Sequence, residues 1–486
     1  MCSQTIEDNL IGRLVIKGGW TVDIFRTKSV SLMENEAKTH SLKKTMGALD
    51  IILIGIGVII GTGIFVLTGV AAAKYAGPGI MLSFVISGVT CAFVCLAYAE
   101  LASMVPIAGS AYTYTYTALG EGIAWLVGWN LVLEYSVGAS AVAGGWSAYT
   151  VGLLKSAGIE IPQALTAVPA DGGIVNLPAV LITLFLTFLL VLGVKESVTV
   201  NRVLVAVKLG AIFIFLLMAG PKVNAANWTP FMPFGFAGVS AGAAVIFFAY
   251  LGVDSIATAA EETKNPKRDM PIGIIGSLAI CTVLYIAVAA VMTGVVPYSQ
   301  LNNAEPVAYV LRTLGYNFGS ALVGTGAICG LSTVLLVMMY AQTRVFFTMS
   351  RDGLIPSVIG KVHSKYQTPH VITIIVGVGV ALISGFTPIG IVAEMCSIGT
   401  LFAFVIATIG VVVLRKTKPD LERPFRCPAV NIVVTLAVLF CFYIMYNLAF
   451  ATWIRFFIWS LIGLVIYFTY GYSHSKLNTN NPTAPK

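Results

Sequence analysis

Apolar runs of about twenty residues, almost free of charge, recur through this chain from Asp50 to Tyr470. Nothing else in it restricts the fold as much. A helix that crosses a bilayer needs ~20 such residues in succession, and about twelve stretches qualify. In hydrocarbon the backbone must satisfy its own hydrogen bonds, so only helices and closed barrels span it. Barrel strands would alternate polar and apolar residues with period two, and these runs do not. Hydrophobic residues make up 57% of the 486 and charged ones only 10%, which no soluble domain needs. The expected fold class is an all-α integral membrane protein of about 12 transmembrane helices in a lipid bilayer.

The net charge is +8, and its placement says more than its size. Cations cluster before the first span (Arg13, Lys17, Arg26, Lys28, Lys38, Lys43, Lys44). They recur at Lys195/Arg202, Lys264/Lys267/Arg268, Arg351/Lys361/Lys365 and Arg415/Lys416/Lys418. The alternate loops hold single cations: Lys74, Lys155, Lys222, Arg312, Arg455. By the positive-inside rule both termini are cytoplasmic, the span count is even and the protein is multi-pass in the cell membrane. The charge is a topology signal and does not point to nucleic acid. Of eight cysteines, most lie inside spans as small hydrophobes. Cys91 and Cys95 share a helix face but have no His or acidic partner nearby, and the four histidines fall in loops or at span ends. A metal centre, a His-based catalytic site or a cofactor is not expected.

Gly55, Gly57, Gly61 and Gly63 crowd the middle of the first span. Each costs about 1 kcal/mol against Ala in a helix interior. Two readings compete. Small residues let membrane helices approach closely. Alternatively, Gly61-Thr62-Gly63 breaks the helix, and in hydrocarbon a break is tolerated only where the freed backbone lines a cavity or binds something. A half-helix N-terminus then offers N–H groups and a positive dipole end to an anion.

The first five spans and the next five form two sets. Odd-numbered sets inserted in succession have opposite topology, and each begins with a Gly-interrupted span, the second at Gly252. Paired interruptions of this kind point to a transporter site between inverted repeats. The divisions expected are a cytoplasmic segment 1–45, repeats 46–219 and 220–415, two further helices in 416–472, and a cytoplasmic tail 473–486. Residues 1–45 carry no signal-peptide pattern. An aromatic-rich re-entrant or interfacial helix is expected between Met104 and Gly120, where Tyr112, Tyr114 and Tyr116 fall.

Two stretches together resemble the amino acid–polyamine–organocation superfamily: Gly55 to Phe65, and Glu261-Glu-Thr-Lys-Asn-Pro-Lys-Arg-Asp-Met-Pro-Ile-Gly273. The chain looks most like bacterial relatives of the cationic amino acid transporters, from about Asp23 to His474. Val105-Pro-Ile-Ala-Gly-Ser-Ala-Tyr112, Ser350-Arg-Asp-Gly-Leu354 and Pro424-Phe-Arg426 support the likeness. The resemblance implies a leucine-transporter-type 5+5 inverted repeat with discontinuous helices 1 and 6, and amino acid transport, often proton-coupled. It implies that the substrate carboxylate meets N–H groups of Gly61, Thr62 and Gly63. The ammonium would meet carbonyls of Ile59, Phe248 and Leu251. Met338 would narrow the side-chain pocket, favouring small neutral amino acids such as alanine.

Lys208 is an ammonium inside span five, which is expensive and points to function, although a snorkelling or paired Lys is the plain alternative. The resemblance places it where proton-coupled relatives carry a lysine, surrounded by Ser332, Thr333 and carbonyls near Gly57. Glu134 lines the pathway, receives the proton, or bonds a neighbouring helix; the sequence leaves the three open. Asp254 is a candidate cap for the second half of span six. The function expected is proton-coupled amino acid import by alternating access. An exchanger or a cationic amino acid transporter is the alternative, and a membrane enzyme or channel a remote one. Convergent catalytic sets are absent from the sequence, so no enzyme is expected, and no phosphate-cradling Gly-x-x-x-x-Gly-Lys-Ser/Thr loop is present to suggest ATP drive. The sequence does not specify an accessory subunit.

The likeness begins only near Asp23. Lys17-Gly18-Gly19 can be encoded by a purine run like a ribosome-binding site, and Val22 by GTG. The expectation is a working chain that begins at position 22, with a genuine cytoplasmic extension as the alternative. Residues 9–16 are apolar enough to form a short helix.

Overall fold

Helix dominates this chain because its apolar stretches have no other way to close their backbone hydrogen bonds. The computed structural model describes residues 13–16, 20–28, 46–104, 110–193, 198–256, 260 and 262–478. Most of residues 1–21, the segments 29–45 and 105–109, Glu261 and the tail from 479 lie outside the described residues. A short antiparallel hairpin comes first, β1 (Arg13–Ile16) paired with β2 (Trp20–Asp23), Arg13 opposite Asp23. The helix anticipated over 9–16 is therefore a strand at its C-terminal half. Val15, opposite Thr21, and Ile16, opposite Trp20, are β-branched residues that favour a pleated ribbon.

The helices are α1 (Ala48–Ile59), α2 (63–76), α3 (Ile80–Met104), α4 (Ser110–Ala118), α5 (Glu121–Ser156), α6 (Leu177–Val191), α7 (Val198–Ala219) and α8 (Gly235–Ile246). Then come α9 (Val253–Ile256), α10 (Pro266–Val295), α11 (Pro306–Thr313), α12 (Asn317–Arg351), α13 (His370–Phe386), α14 (Ile389–Thr417), α15 (Val430–Tyr446) and α16 (Phe450–Ile466). Among the described residues, eight helical runs are long and apolar enough to cross a membrane, and four shorter apolar helices accompany them. One of the eight, Gly63–Met104, folds back at Gly77, where φ is +60°. The chain is thus a multi-pass membrane protein.

At the centre α5 packs against α12 and α14, α3 against α10, and α1 against α7 and α10. The expected helix between Met104 and Gly120 is α4. Its Tyr112, Tyr114 and Tyr116 are buried rather than interfacial, because α4 is wedged against α5 and α14.

Both described ends of the chain meet at one end of the bundle. Arg26 pairs with Glu121 at 2.6 Å, and Lys28 with Asp352 at 3.0 Å. Ser475 donates to Glu121, Tyr467 donates to it at 3.0 Å, and Tyr112 donates to Asp352 at 2.8 Å. Nearby, Glu100 accepts two bonds from Arg415, at 2.9 and 2.6 Å, and one from the Cys427 N–H at 2.8 Å. Several donors for each buried carboxylate are what makes such burial tolerable. At the opposite end α11 rests Pro306 on Gly69 of α2, and Glu305 pairs with Arg312 at 2.5 Å. Burial raises the Glu305 carboxyl above its ordinary range, against the pull of Arg312.

Candidate functional site

Two helices are interrupted, and the interruptions touch. α1 stops at Ile59. Ile60 turns extended (φ −75°, ψ 98°), and helix resumes as a π-helical turn at Gly63–Leu67. α8 passes through a 3₁₀ turn, Phe247–Tyr250, then Leu251 is extended (ψ 151°) and Gly252 has φ +94° before α9 begins. That positive φ is where glycine is needed, since a Cβ would be strained there. Gly63 is needed for another reason: a Cβ on it would overlap the backbone and side chain of Ala249. A Cβ on Gly252 would likewise strike Val58. The two interrupted segments lie directly against each other.

Tyr285 of α10 ties them together. Its buried hydroxyl is 2.7 Å from the Ile59 carbonyl and 2.8 Å from the Ala249 carbonyl. A phenol has one proton, so the two carbonyls share one donor and converge on one point. Sequence reasoning missed Tyr285 and Ala249. The available signal was a Tyr in the apolar middle of α10, whose buried O–H demands a partner.

Thr62 packs against Gly145 of α5 and directs its hydroxyl at the Ala141 carbonyl, 3.5 Å away. Gly61 faces Val334 of α12. Of the carbonyls singled out in the sequence, that of Ile59 accepts from Tyr285 and that of Phe248 from the Leu251 N–H at 3.2 Å. A carbonyl has two lone pairs, so neither bond excludes a second donor. Chemically, the start of α2 can attract an anion and the end of α1 a cation, through opposite dipole ends only a few residues apart.

Lys208 is fully buried and donates to the carbonyls of Gly57 at 2.5 Å and Ile60 at 3.0 Å. These carbonyls carry the negative end of α1. Its stem lies against Gly330 of α12. Close by in sequence, Ser332 accepts from the Trp146 indole at 2.9 Å and donates to the Ile328 carbonyl, while Thr333 donates to the Gly330 carbonyl at 2.8 Å.

One helical turn from Thr62 and Val334, towards the end where Arg26 meets Glu121, Met338 meets α5 at Gly138. Glu134 lies a further turn along α5, 3% exposed, and its Oε2 has no hydrogen-bond partner among the described residues. Asp254 stands in the first turn of α9 and accepts a hydrogen bond from Tyr135. A cavity of about 270 Å³ lies elsewhere, between the outer faces of α5 and α6, with Trp146, Leu154 and Leu181 in its wall. Its lining is apolar apart from Thr150 and the Trp146 indole, and includes no residue of the helix breaks.

Residues 46–470 match the amino acid permease family. The branched-chain amino acid permease BcaP of Bacillus subtilis is 49% identical over 461 residues, covering 94% of this chain and 99% of that relative. The methylthioribose transporter of the same organism is 45% identical over 457 residues, covering 94% and 99%. The vacuolar cationic amino acid transporter 4 of Arabidopsis thaliana is 39% identical over 402 residues, covering 81% of this chain and 66% of that relative. Transport, not enzymatic catalysis, is what these proteins share by name. The match across nearly every membrane-crossing helix shows that this chain belongs to the amino acid permease family.

Proposed function

We propose that the protein is a proton-coupled secondary transporter that imports small neutral amino acids by alternating access. The observation that carries this reading is the contact between two interrupted helices at Gly63 and Ala249, bridged by Tyr285. A zwitterion needs an anion site and a cation site a few ångströms apart, and paired helix breaks supply both from backbone alone. Backbone recognition reads the part that all amino acids share and leaves selection to the side-chain end, where Met338 stands.

The fold we assign is a 5+5 inverted repeat of twelve membrane helices, with repeats at 46–219 and 220–415 and both termini cytoplasmic. The carboxylate lies at Gly61, Thr62 and Gly63; the ammonium lies at the carbonyls of Ile59, Phe248 and Leu251. Lys208 is the proton carrier, an assignment supported by a buried ammonium inside a spanning helix that donates to the carbonyls of Gly57 and Ile60 at the end of α1. Similarity to a branched-chain permease supports an uncharged aliphatic side chain. Cargo bearing a methylthio sugar is the second reading, supported by the methylthioribose relative.

Uptake into proteoliposomes tests the assignment. Labelled alanine, valine and leucine are expected to accumulate under an inward proton gradient and not under a sodium gradient. Accumulation driven by sodium alone would overturn the coupling. Uptake of methylthioribose without uptake of any amino acid would overturn the substrate.

A further inference from the structure

The helix breaks and the Glu134 carboxylate are separated by a layer of sulfur. On α5, Gly145 and Ala141 face Thr62, and Gly138 comes one turn further on. On α12, Val334 faces Gly61, and Met338 comes one turn further on. The space over Gly138 is filled from both sides. A Cβ built there would stand 3.1 Å from Cys396 Sγ of α14 and 3.4 Å from Met338 Sδ. Cys396 and Met338 are 0% and 4% exposed.

The two sulfurs differ in freedom. Met338 is unbranched and adapts its shape. Cys396 has one rotatable side-chain bond, and its thiol donates to the Glu134 backbone carbonyl at 3.1 Å. Thr400 fixes the same turn of α14 by donating to the Cys396 carbonyl at 2.9 Å. Behind this wall lies the buried Glu134 side chain, whose Oε2 has no hydrogen-bond partner among the described residues. Its Cβ is 3.8 Å from the position a Cβ on Gly399 would take, so α14 passes directly over it.

We propose that Cys396 is a specificity-determining residue: together with Met338 it closes the side-chain end of the substrate site over Gly138 and screens that end from Glu134. The inference rests on the reading that the amino acid sits at the helix breaks. It makes side-chain length the selected property, with the rigid thiol setting the limit and the flexible thioether fitting what remains. Uncharged short and branched aliphatic side chains are the class that meets such a wall without leaving a polar group unpaired.

Competition against labelled alanine uptake, in proteoliposomes holding the full chain, reads this out. Unlabelled alanine, valine, leucine, methionine and phenylalanine serve as competitors. Cys396→Ala is expected to lower the inhibition constants of leucine and methionine relative to alanine by roughly 10-fold, and Cys396→Val to raise them by a similar factor, the size that about one methylene of room carries in an apolar pocket. An unchanged ratio overturns the assignment, as does an equal loss for every competitor, which is what a purely packing role would give. Should Cys396→Val not reconstitute, the ratio in Cys396→Ala decides alone. Wild-type protein that carries no amino acid overturns the transport reading and this inference together; wild-type uptake with an unmoved ratio overturns this inference only.

Discussion

The Lys208 ammonium donates to the Gly57 carbonyl at 2.5 Å, where α7 reaches into the broken end of α1. A second bond, to Ile60, makes the amine a clamp on the last turn before the break. Loss of the proton would remove the charge and one of the three N–H donors from that clamp, and the proposed coupling works through this contact.

Lys208→Ala is therefore expected to abolish the response of alanine uptake to a proton gradient while leaving exchange of internal for external alanine measurable. Proteoliposome uptake with and without the gradient checks this. Undiminished gradient-driven accumulation in the variant would refute the role.

Tyr285→Phe keeps the ring, which packs edge-on against Tyr250 at 5.5 Å and lies 5.3 Å from Phe84. It removes the only proton that the Ile59 and Ala249 carbonyls share. Leaving a buried hydrogen-bonding group without its partner costs about 1–3 kcal/mol. The apparent KM for alanine is expected to rise roughly 10-fold, within the range that this cost allows. Tighter binding in the variant would instead mark the hydroxyl as a competitor for the ammonium site.

Gly61 and Gly63 are separated by one residue and should respond differently to the same methyl group. A Cβ on Gly61 meets Val334 at 3.6 Å, an ordinary contact, whereas one on Gly63 overlaps Ala249. Gly63→Ala is expected to abolish alanine transport in protein that still reaches the membrane. Gly61→Ala is expected to retain most of it. Equal activity in the two variants would contradict the close approach of the interrupted helices.

Glu100→Gln leaves Arg415 and Arg423 facing a neutral amide. Breaking a buried pair from one side costs roughly 3–5 kcal/mol, and Arg415's partial exposure brings this to about 3. Thermal unfolding in detergent should show a lower Tm with an unchanged order of competitor potency. A shifted order would tie this cluster to the substrate site.

The hydrophobic runs settled, without any structure, that the chain is helical and lies in a membrane, because backbone in hydrocarbon has so few options. Local chemistry also marked the interruptions: glycines at 61, 63 and 252 and a lysine at 208 are unfavourable in a spanning helix unless they serve something. What periodicity could not supply is which groups from distant spans meet. Tyr285 lies 226 positions from Ile59, and Cys396 lies 262 from Glu134. No local pattern encodes such pairs. Cys396 reads in sequence as one more small apolar residue, and only the crossing of α14 over α5 at Gly138 puts its thiol beside Met338. The buried tyrosines of α4 have the same origin, since the sequence shows an amphipathic belt residue and the neighbouring helices decide whether it faces lipid or core. The sequence determines where backbone is allowed to break and where charge is costly, because those are properties of one segment in its solvent. Tertiary structure decides what fills the break, because side-chain packing depends on helices that meet only once the bundle has closed.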